Sequence, residues 1–549
     1  MALSYHEPDI VTILILTSFL LLQNAVNWAF DRLFFCGLIG QIAIGVAWGK
    51  PGANWLSVAA QNVIVQIGYL GLILLVFEGG LSTDLKTLKS NLFLSSLVAL
   101  TGISAPIGLS FLLPSFVNGV APVQAFAAGA ALCSTSLGTT FTILSTSGLA
   151  ASRLGVVLSS AAMMDDIVGL VMSGIVSSLG TSSDFNAVTV IRPVFVSIAF
   201  AVVVPLVCAW VLKPLTRELY NAIRSQNSER RHKWIATENV ALVLHAMVLA
   251  GLVAAASYAG TSNLFAAYIA GATISWWDGL CKELRMSNPN EEMEPPATGQ
   301  QSCTQATEDS PQLHVRSNPN ISDLTGIAVF EKYYSPALQT ILKPFFFASI
   351  GFAIPITQMF TGSVIWRGLV YTMLMVLAKL ICGLFLISFA TPVVPLQALS
   401  RRFRNSMSKC WPWPVRNGKA AATSDATMQT AQSTPAQPTS PESRETSSGK
   451  QSRVPKPVSL YPAALLGSAM VARGEIGFLI SSVAESGGVF GSNEENGSEL
   501  FLIVTWAILL CTLLGPIVVG LMVKRVRRLQ EMERSRNTGK NDPLGIWGI

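Results

Sequence analysis

The residues of this chain best suited to chemistry are charges set in apolar surroundings. In "AAMMDDIVGLVM", Asp165 and Asp166 stand side by side in a run that is otherwise apolar or small. Lys379 interrupts "MVLAKLICG", and Arg473 and Glu475 interrupt "MVARGEIGFLI". One carboxylate at the centre of a membrane helix costs roughly 2.5–3.5 kcal/mol of insertion free energy, so charges at that depth gather around one another or a wet cavity. Successive helical residues point about 100° apart, so the two aspartates cannot share one partner. One carboxylate can pair with a lysine from another helix while the other faces a cavity and binds a cation or a proton. Burial and the adjacent like charge favour protonation of one, and a lysine favours ionisation of the other.

The elements that must position these groups carry a second signal. "ALCSTSLGTTFTILS" places Ser134, Thr135, Ser136, Thr139 and Thr140 around Gly138 in the middle of an apolar span. A lone pair of hydroxyls in a membrane helix serves packing and nothing more; five in seven residues predict an unwound stretch. "ARGEIGF" predicts a second one, with Gly474 and Gly477 flanking the charges. Backbone freed from helical bonding at this depth survives only where it is buried in protein or lines a cavity.

Composition sets the frame. The chain has 549 residues, 51% hydrophobic and 12% charged, against about 25% charged in a soluble domain. An all-α polytopic membrane protein is the expected fold class. Thirteen spans are placed near residues 10–30, 34–49, 57–77, 92–114, 121–146, 152–178, 191–212, 236–258, 263–277, 337–357, 364–390, 460–485 and 499–523. The organisation expected is nine membrane helices in 1–277, a polar cytoplasmic insert over 278–336, two helices in 337–390, a disordered cytoplasmic loop over 391–458, two helices in 459–523 and a basic tail from 524 to 549. The 391–458 loop is rich in Ser, Thr, Gln and Pro and cannot bury a core. Lys213, Arg217, Arg224, Arg230, Arg231 and Lys233 mark a cytoplasmic segment, which puts the N-terminus outside or lumenal and the C-terminus in the cytoplasm. "MALSYHEPD" lacks the basic start of a cleavable signal, so the first span is expected to be retained. The net charge of +6 thus reports topology rather than a nucleic-acid partner.

Other features carry less. The eight cysteines are scattered, with no CxxC pair, and the four histidines lie far apart; no disulfide framework, zinc site or cofactor is expected. His245 is read as a packed core residue. Glu78, in "FEGGLSTDLK", falls at a span boundary and is read as structural. The sequon Asn496–Ser498 lies in a short outer loop. If spans one to six and eight to thirteen are two halves, each unwound helix is the fifth of its half. Matching interruptions point to a transporter's central site, as in inverted-repeat proteins such as NhaA.

In this light the chain resembles the second branch of the monovalent cation:proton antiporters, the group with NhaA-fold sodium/proton and potassium/proton exchangers. The resemblance runs in order through "RLFFCGLIGQIAIGVAWG", "LGLILLVFEGGLSTDLKTLKSN", "ALCSTSLGTTFTIL", "AAMMDDIVGLVM", "SNLFAAYIAGATIS", "KPFFFASIGFAI", "VLAKLICG" and "VARGEIGFLI". It implies an NhaA-like fold of inverted repeats with two crossed discontinuous helices, a homodimer, and alternating access by a moving core. It implies that Asp166 binds the monovalent cation or the proton, that Asp165 pairs with Lys379, and that Ser134, Thr135 and Ser136 belong to one unwound stretch and Arg473 and Glu475 to the other. An aspartate pair joined to a lysine resembles electrogenic members. The expected function is exchange of Na+ or K+ for protons in a plasma membrane or endomembrane, with a channel-like K+ pathway as the alternative. After residue 523 no GxGxxG follows, which argues against nucleotide gating. An intramembrane aspartyl protease is disfavoured, because neighbouring aspartates diverge and no GxGD occurs. An enzyme is therefore not expected.

Overall fold

A computed structural model describes residues 7–34, 36–83, 92–136, 144, 148–149, 152–181, 187–218, 238–286, 325–388, 460–491, 498–535, 544 and 547. Among these the chain is helical throughout, without a strand. Eight of the described helices are long and apolar enough to cross a membrane. Contacts divide the chain into a helical unit, 1–385 with 458–549, and a second unit, 386–457. Of the second unit only Leu386–Ser388 are described, so the expected disordered loop lies outside the described residues.

The helices are α1 (Ile10–Phe34), α2 (Leu38–Trp48), α3 (Val58–Leu81), α4 (Leu92–Ser110), α5 (Pro122–Ala131), α6 (Arg153–Thr181), α7 (Ala187–Val207), α8 (Glu238–Ala259), α9 (Asn263–Met286), α10 (Gly326–Tyr333), α11 (Lys343–Phe352), α12 (Gly362–Leu380), α13 (Tyr461–Ala469), α14 (Glu475–Ser486) and α15 (Glu499–Ser535). Residue chemistry sets several of the ends. Ser57 accepts from Ala60 N at 3.2 Å and caps α3, Thr325 does the same for α10 from Ala328 N at 3.3 Å, and prolines start α5 and α11.

Three sequence-predicted boundaries are corrected. α9 runs to Met286 rather than stopping at 277, because Lys282, Glu283 and Leu284 are good helix formers. Helix α10 falls within the stretch placed at 278–336, and its first amide, Gly326 N, donates to Asp278 Oδ2 at 2.6 Å. α15 likewise continues twelve residues past 523, through "KRVRRLQEMERS", for the same reason of propensity. The span placed at 337–357 is instead a composite: a π-helical turn at Leu338–Leu342, α11, and a short helix at Ile356–Met359. Asn24 Nδ2 donates to Thr340 O in that π turn at 2.9 Å, which satisfies a carbonyl at the irregularity.

Two packing groups emerge. α3 lies between α9 and α11, with α1, α2, α8 and α10 completing a scaffold. α6 packs on α4 and α14, while α12 and α13 pack on α15 and α5 joins α4 to α14, forming a core. The core meets the scaffold where α6 touches α9, where α14 touches α11 and where α15 touches α1, and α7 packs on both α6 and α9.

Candidate functional site

Both sequence-predicted interruptions fall inside the core and face each other. The first follows α5: residues 132–136 leave the helix, and Thr139 and Thr140 lie outside the described residues. The second spans 470–474 between α13 and α14. It sits earlier than "ARGEIGF" alone suggests, because Glu475 and Gly477 are already helical, with Glu475 as the first residue of α14. Glu475 is thus corrected from unwound backbone to helix N-terminus, where the positive end of the peptide dipoles favours a carboxylate.

The carbonyls and amides released by these breaks find partners in the opposite break or in a buried cation. Ser136 N donates to Ala472 O at 3.0 Å, and Thr135 Oγ1 reaches Met470 O at 3.4 Å. Lys379 Nζ donates to Cys133 O at 2.6 Å, and Arg473 Nη1 donates to Ser134 O at 2.8 Å. Two half-helices, α5 and α13, therefore point their negative ends at a place supplied with two cations, as the dipole argument requires. Close approach is possible because the residue opposite Ser136 is Gly474: a Cβ there would stand 2.6 Å from the Ser136 Cβ. Gly102 on α4 performs a similar service, since its Cβ would meet Lys379 Nζ at 3.1 Å and Asp165 Oδ2 at 3.2 Å.

The aspartates part company as their 100° separation demands. Asp165 Oδ2 lies 2.7 Å from Lys379 Nζ, and both side chains are completely buried. Thr135 Oγ1 donates to the same carboxylate oxygen at 2.8 Å and accepts from Lys379 Nζ at 2.8 Å, closing a triangle. Asp165 Oδ1 has no donor among the described residues. Asp166 is only half-buried. Ser134 Oγ donates to its Oδ1 at 2.9 Å. Arg473 is fully buried, and its Nε and Nη2 have no oxygen or nitrogen partner among the described residues.

The structure therefore brings together Ser134, Thr135, Asp165, Asp166, Lys379 and Arg473, with Ser136 and Glu475 at the margins. Glu78 falls in the last turn of α3. His245 is 6% exposed within α8. Sequence reasoning missed Gly102 and the backbone carbonyls of Cys133 and Met470. The signal for Gly102 was present only as one small residue in "LTGISAP"; the carbonyls carry no sequence signal at all. No cluster of three His, Cys, Asp or Glu suited to a metal centre occurs among the described residues.

A helical fold with eight described helices fit to cross a membrane and two opposed interruptions around buried charges defines a polytopic membrane protein with a charged central site. The profile of a family described as "Sodium/hydrogen exchanger, transmembrane" matches residues 14–291, and the chain belongs to that family. It is 30% identical over 190 residues to the high-affinity Na(+)/H(+) antiporter NhaS3 of Synechocystis, covering 34% of this chain and 41% of that protein. It is 29% identical over 183 residues to the Na(+)/H(+)-K(+) antiporter GerN of Bacillus cereus, covering 32% and 46%. The chain thus matches less than half the length of these relatives. The sodium proton antiporter MjNhaP1 of Methanocaldococcus jannaschii shares the fold, with a TM-score of 0.53 and 12% identity over 94% of this chain and 99% of that one.

Proposed function

We propose that this protein exchanges a monovalent cation, Na+ or K+, for protons across a membrane, with Asp166 as the carboxylate that carries either one. The observation that supports this most is the unequal treatment of two adjacent aspartates: Asp165 is locked to Lys379, whereas Asp166 is half-buried and held by a single hydroxyl. Three carboxylates, Asp165, Asp166 and Glu475, face two cations, Lys379 and Arg473. The cluster therefore carries one uncompensated negative charge, which a single bound cation or proton neutralises. At membrane depth that neutrality is worth several kcal/mol, so the carboxylate is not left empty while it moves. A pathway that must carry one or the other is an exchanger.

The chemistry at Asp166 follows from its neighbours. Ser134 donates its proton to the carboxylate, which leaves the hydroxyl oxygen's lone pairs available to a cation. Protonation of Asp166 removes the charge that attracts the cation. The two ligands thus compete for one site. The proposal includes a homodimer with a moving core, as the family resemblance implies, and a cytoplasmic C-terminus, as the basic segment 213–233 implies.

The test is a pH-sensitive dye in proteoliposomes challenged with Na+, K+ and Li+ in turn. Cation addition should drive proton movement, and Asp166→Asn should abolish it while protein yield stays near normal. Near-normal exchange by that variant overturns the role of Asp166. Cation flux without proton movement favours the channel reading instead.

A further inference from the structure

Helix α15 carries a stripe that changes character along its length. Leu514, Val518 and Leu521 are 41%, 38% and 63% exposed, and their four- and three-residue spacing sets them on one face. The same spacing continues to Arg525 and Arg528, with Lys524 one turn from both Leu521 and Arg528. All three cations are exposed. Val519, Val523 and Val526, on the opposite face, are buried in the protein. Lys524 is the first charge after Glu499 in α15, so the uncharged stretch is long enough to span a bilayer. An open apolar stripe on such a helix faces acyl chains, and the point where it turns cationic falls at headgroup level.

Snorkelling asks only that long cationic side chains reach water; here the three cations are arranged. Arg525 Nε donates to the Tyr461 hydroxyl at 2.9 Å, and Tyr461 is the first residue of α13. That bond occupies Nε and leaves the two terminal nitrogens, the fork that meets phosphate oxygens in pairs. Lys524 precedes Arg525 directly, and Arg528 follows it by one turn. Among the described residues no carboxylate pairs with any of the three. Glu531, a turn beyond Arg528, is exposed and offsets part of the charge. The stripe offers room for a tail and the cluster a seat for an anionic head, so together they select a molecule that has both.

We propose that this face of α15 binds an anionic phospholipid, with its phosphate on Lys524, Arg525 and Arg528 and an acyl chain along Leu521, Val518 and Leu514. Each cation near an anionic membrane surface contributes roughly a fivefold preference, on the order of a hundredfold for three. Through Arg525 and Tyr461 the lipid is joined to α13, the half-helix that leads into the break at 470–474. The bound lipid therefore holds the core rather than the scaffold. The proposal stands apart from the reading of Asp166.

The full chain in a neutral detergent, titrated with phosphatidylserine or with phosphatidylcholine of the same acyl chains, tests this through its thermal unfolding temperature, since a ligand of the folded state raises it. Phosphatidylserine should raise that temperature by about 3 °C or more at saturation. Phosphatidylcholine should raise it much less, and the difference should shrink at high salt. Glycerophosphoserine and inorganic phosphate, which lack acyl chains, should give no shift; a full shift from either means a site for soluble anions and overturns the lipid. Lys524→Gln, Arg525→Gln and Arg528→Gln together should abolish the difference between the two lipids. Lys213→Gln with Arg217→Gln, which removes cations from another basic segment, should leave it intact. A triple variant that keeps the difference overturns the proposal. So does a Lys213 and Arg217 variant that loses it equally, because the response is then to positive charge in general. If the triple variant fails to fold, Arg525→Lys decides: it keeps the charge and loses the fork, and should weaken the apparent phosphatidylserine affinity about threefold or more, whereas an unchanged affinity overturns the proposal.

Discussion

At the scale of single residues, the cost of burying charge made the site legible. Five ionisable side chains in apolar runs are too expensive to be scattered, and Asp165, Asp166, Lys379, Arg473 and Glu475 do gather around two chain breaks. What residue types alone could not decide is which aspartate meets the lysine, because a 100° step separates the two without saying where Lys379 comes from. The Lys379–Asp165 pair has a definite energetic signature. Lys379→Ala leaves a fully buried carboxylate without its cation, and truncating one partner of a buried pair costs about 3–5 kcal/mol. A marked fall in the thermal unfolding temperature in detergent is expected. Asp165→Asn added to Lys379→Ala removes the orphaned charge and should recover much of that loss, with Thr135 still able to bond the amide. A double variant no more stable than Lys379→Ala would mean that the pair is not what holds α6 to α12.

At the scale of elements, the unwound stretches were foreseen from hydroxyl density in one case and from glycines in the other, and the precision differed accordingly. Hydroxyls mark where backbone competition occurs, and the first break, at 132–136, does take in Ser134, Thr135 and Ser136. Glycine only permits a break. Gly477 is helical, and the actual break at 470–474 is fixed by a partner in the opposite break, Ser136 N on Ala472 O, which no local window contains. α9 and α15 overran their expected ends because hydropathy marks the membrane and propensity marks the helix. The crossing itself depends on space. Gly474→Ala would put a methyl 2.6 Å from Ser136 Cβ and 2.7 Å from its Oγ, an overpacking that costs about 1–3 kcal/mol. The variant should unfold at lower temperature and exchange more slowly. Ser136→Gly should relieve it, because the clashing atoms are then gone. If the double variant is as impaired as Gly474→Ala alone, the crossing tolerates the methyl and the defect lies elsewhere.

At the scale of the whole molecule, helix composition and order disclosed the architecture, but not which helices form the core and which the scaffold. That division depends on which apolar faces meet, and nearly all faces here are apolar. It becomes visible through polar contacts across the boundary, of which the Ser173–Ser262 hydrogen bond joins α6 to α9. If the core carries Asp166 between two sides of the membrane, that contact has to open once in each cycle. With the two hydroxyl oxygens 3.2 Å apart, cysteines at these positions place their sulfurs on facing surfaces where a crosslink can be tried. In a background with the native cysteines replaced, Ser173→Cys with Ser262→Cys should form a crosslink on mild oxidation. Exchange should then fall to the level of empty liposomes, and dithiothreitol should restore it. Each single-cysteine variant should be indifferent to oxidant. A crosslinked protein that turned over at the rate of its reduced form would show that α6 and α9 stay together throughout transport, and the ion would have to cross between two helices that never separate.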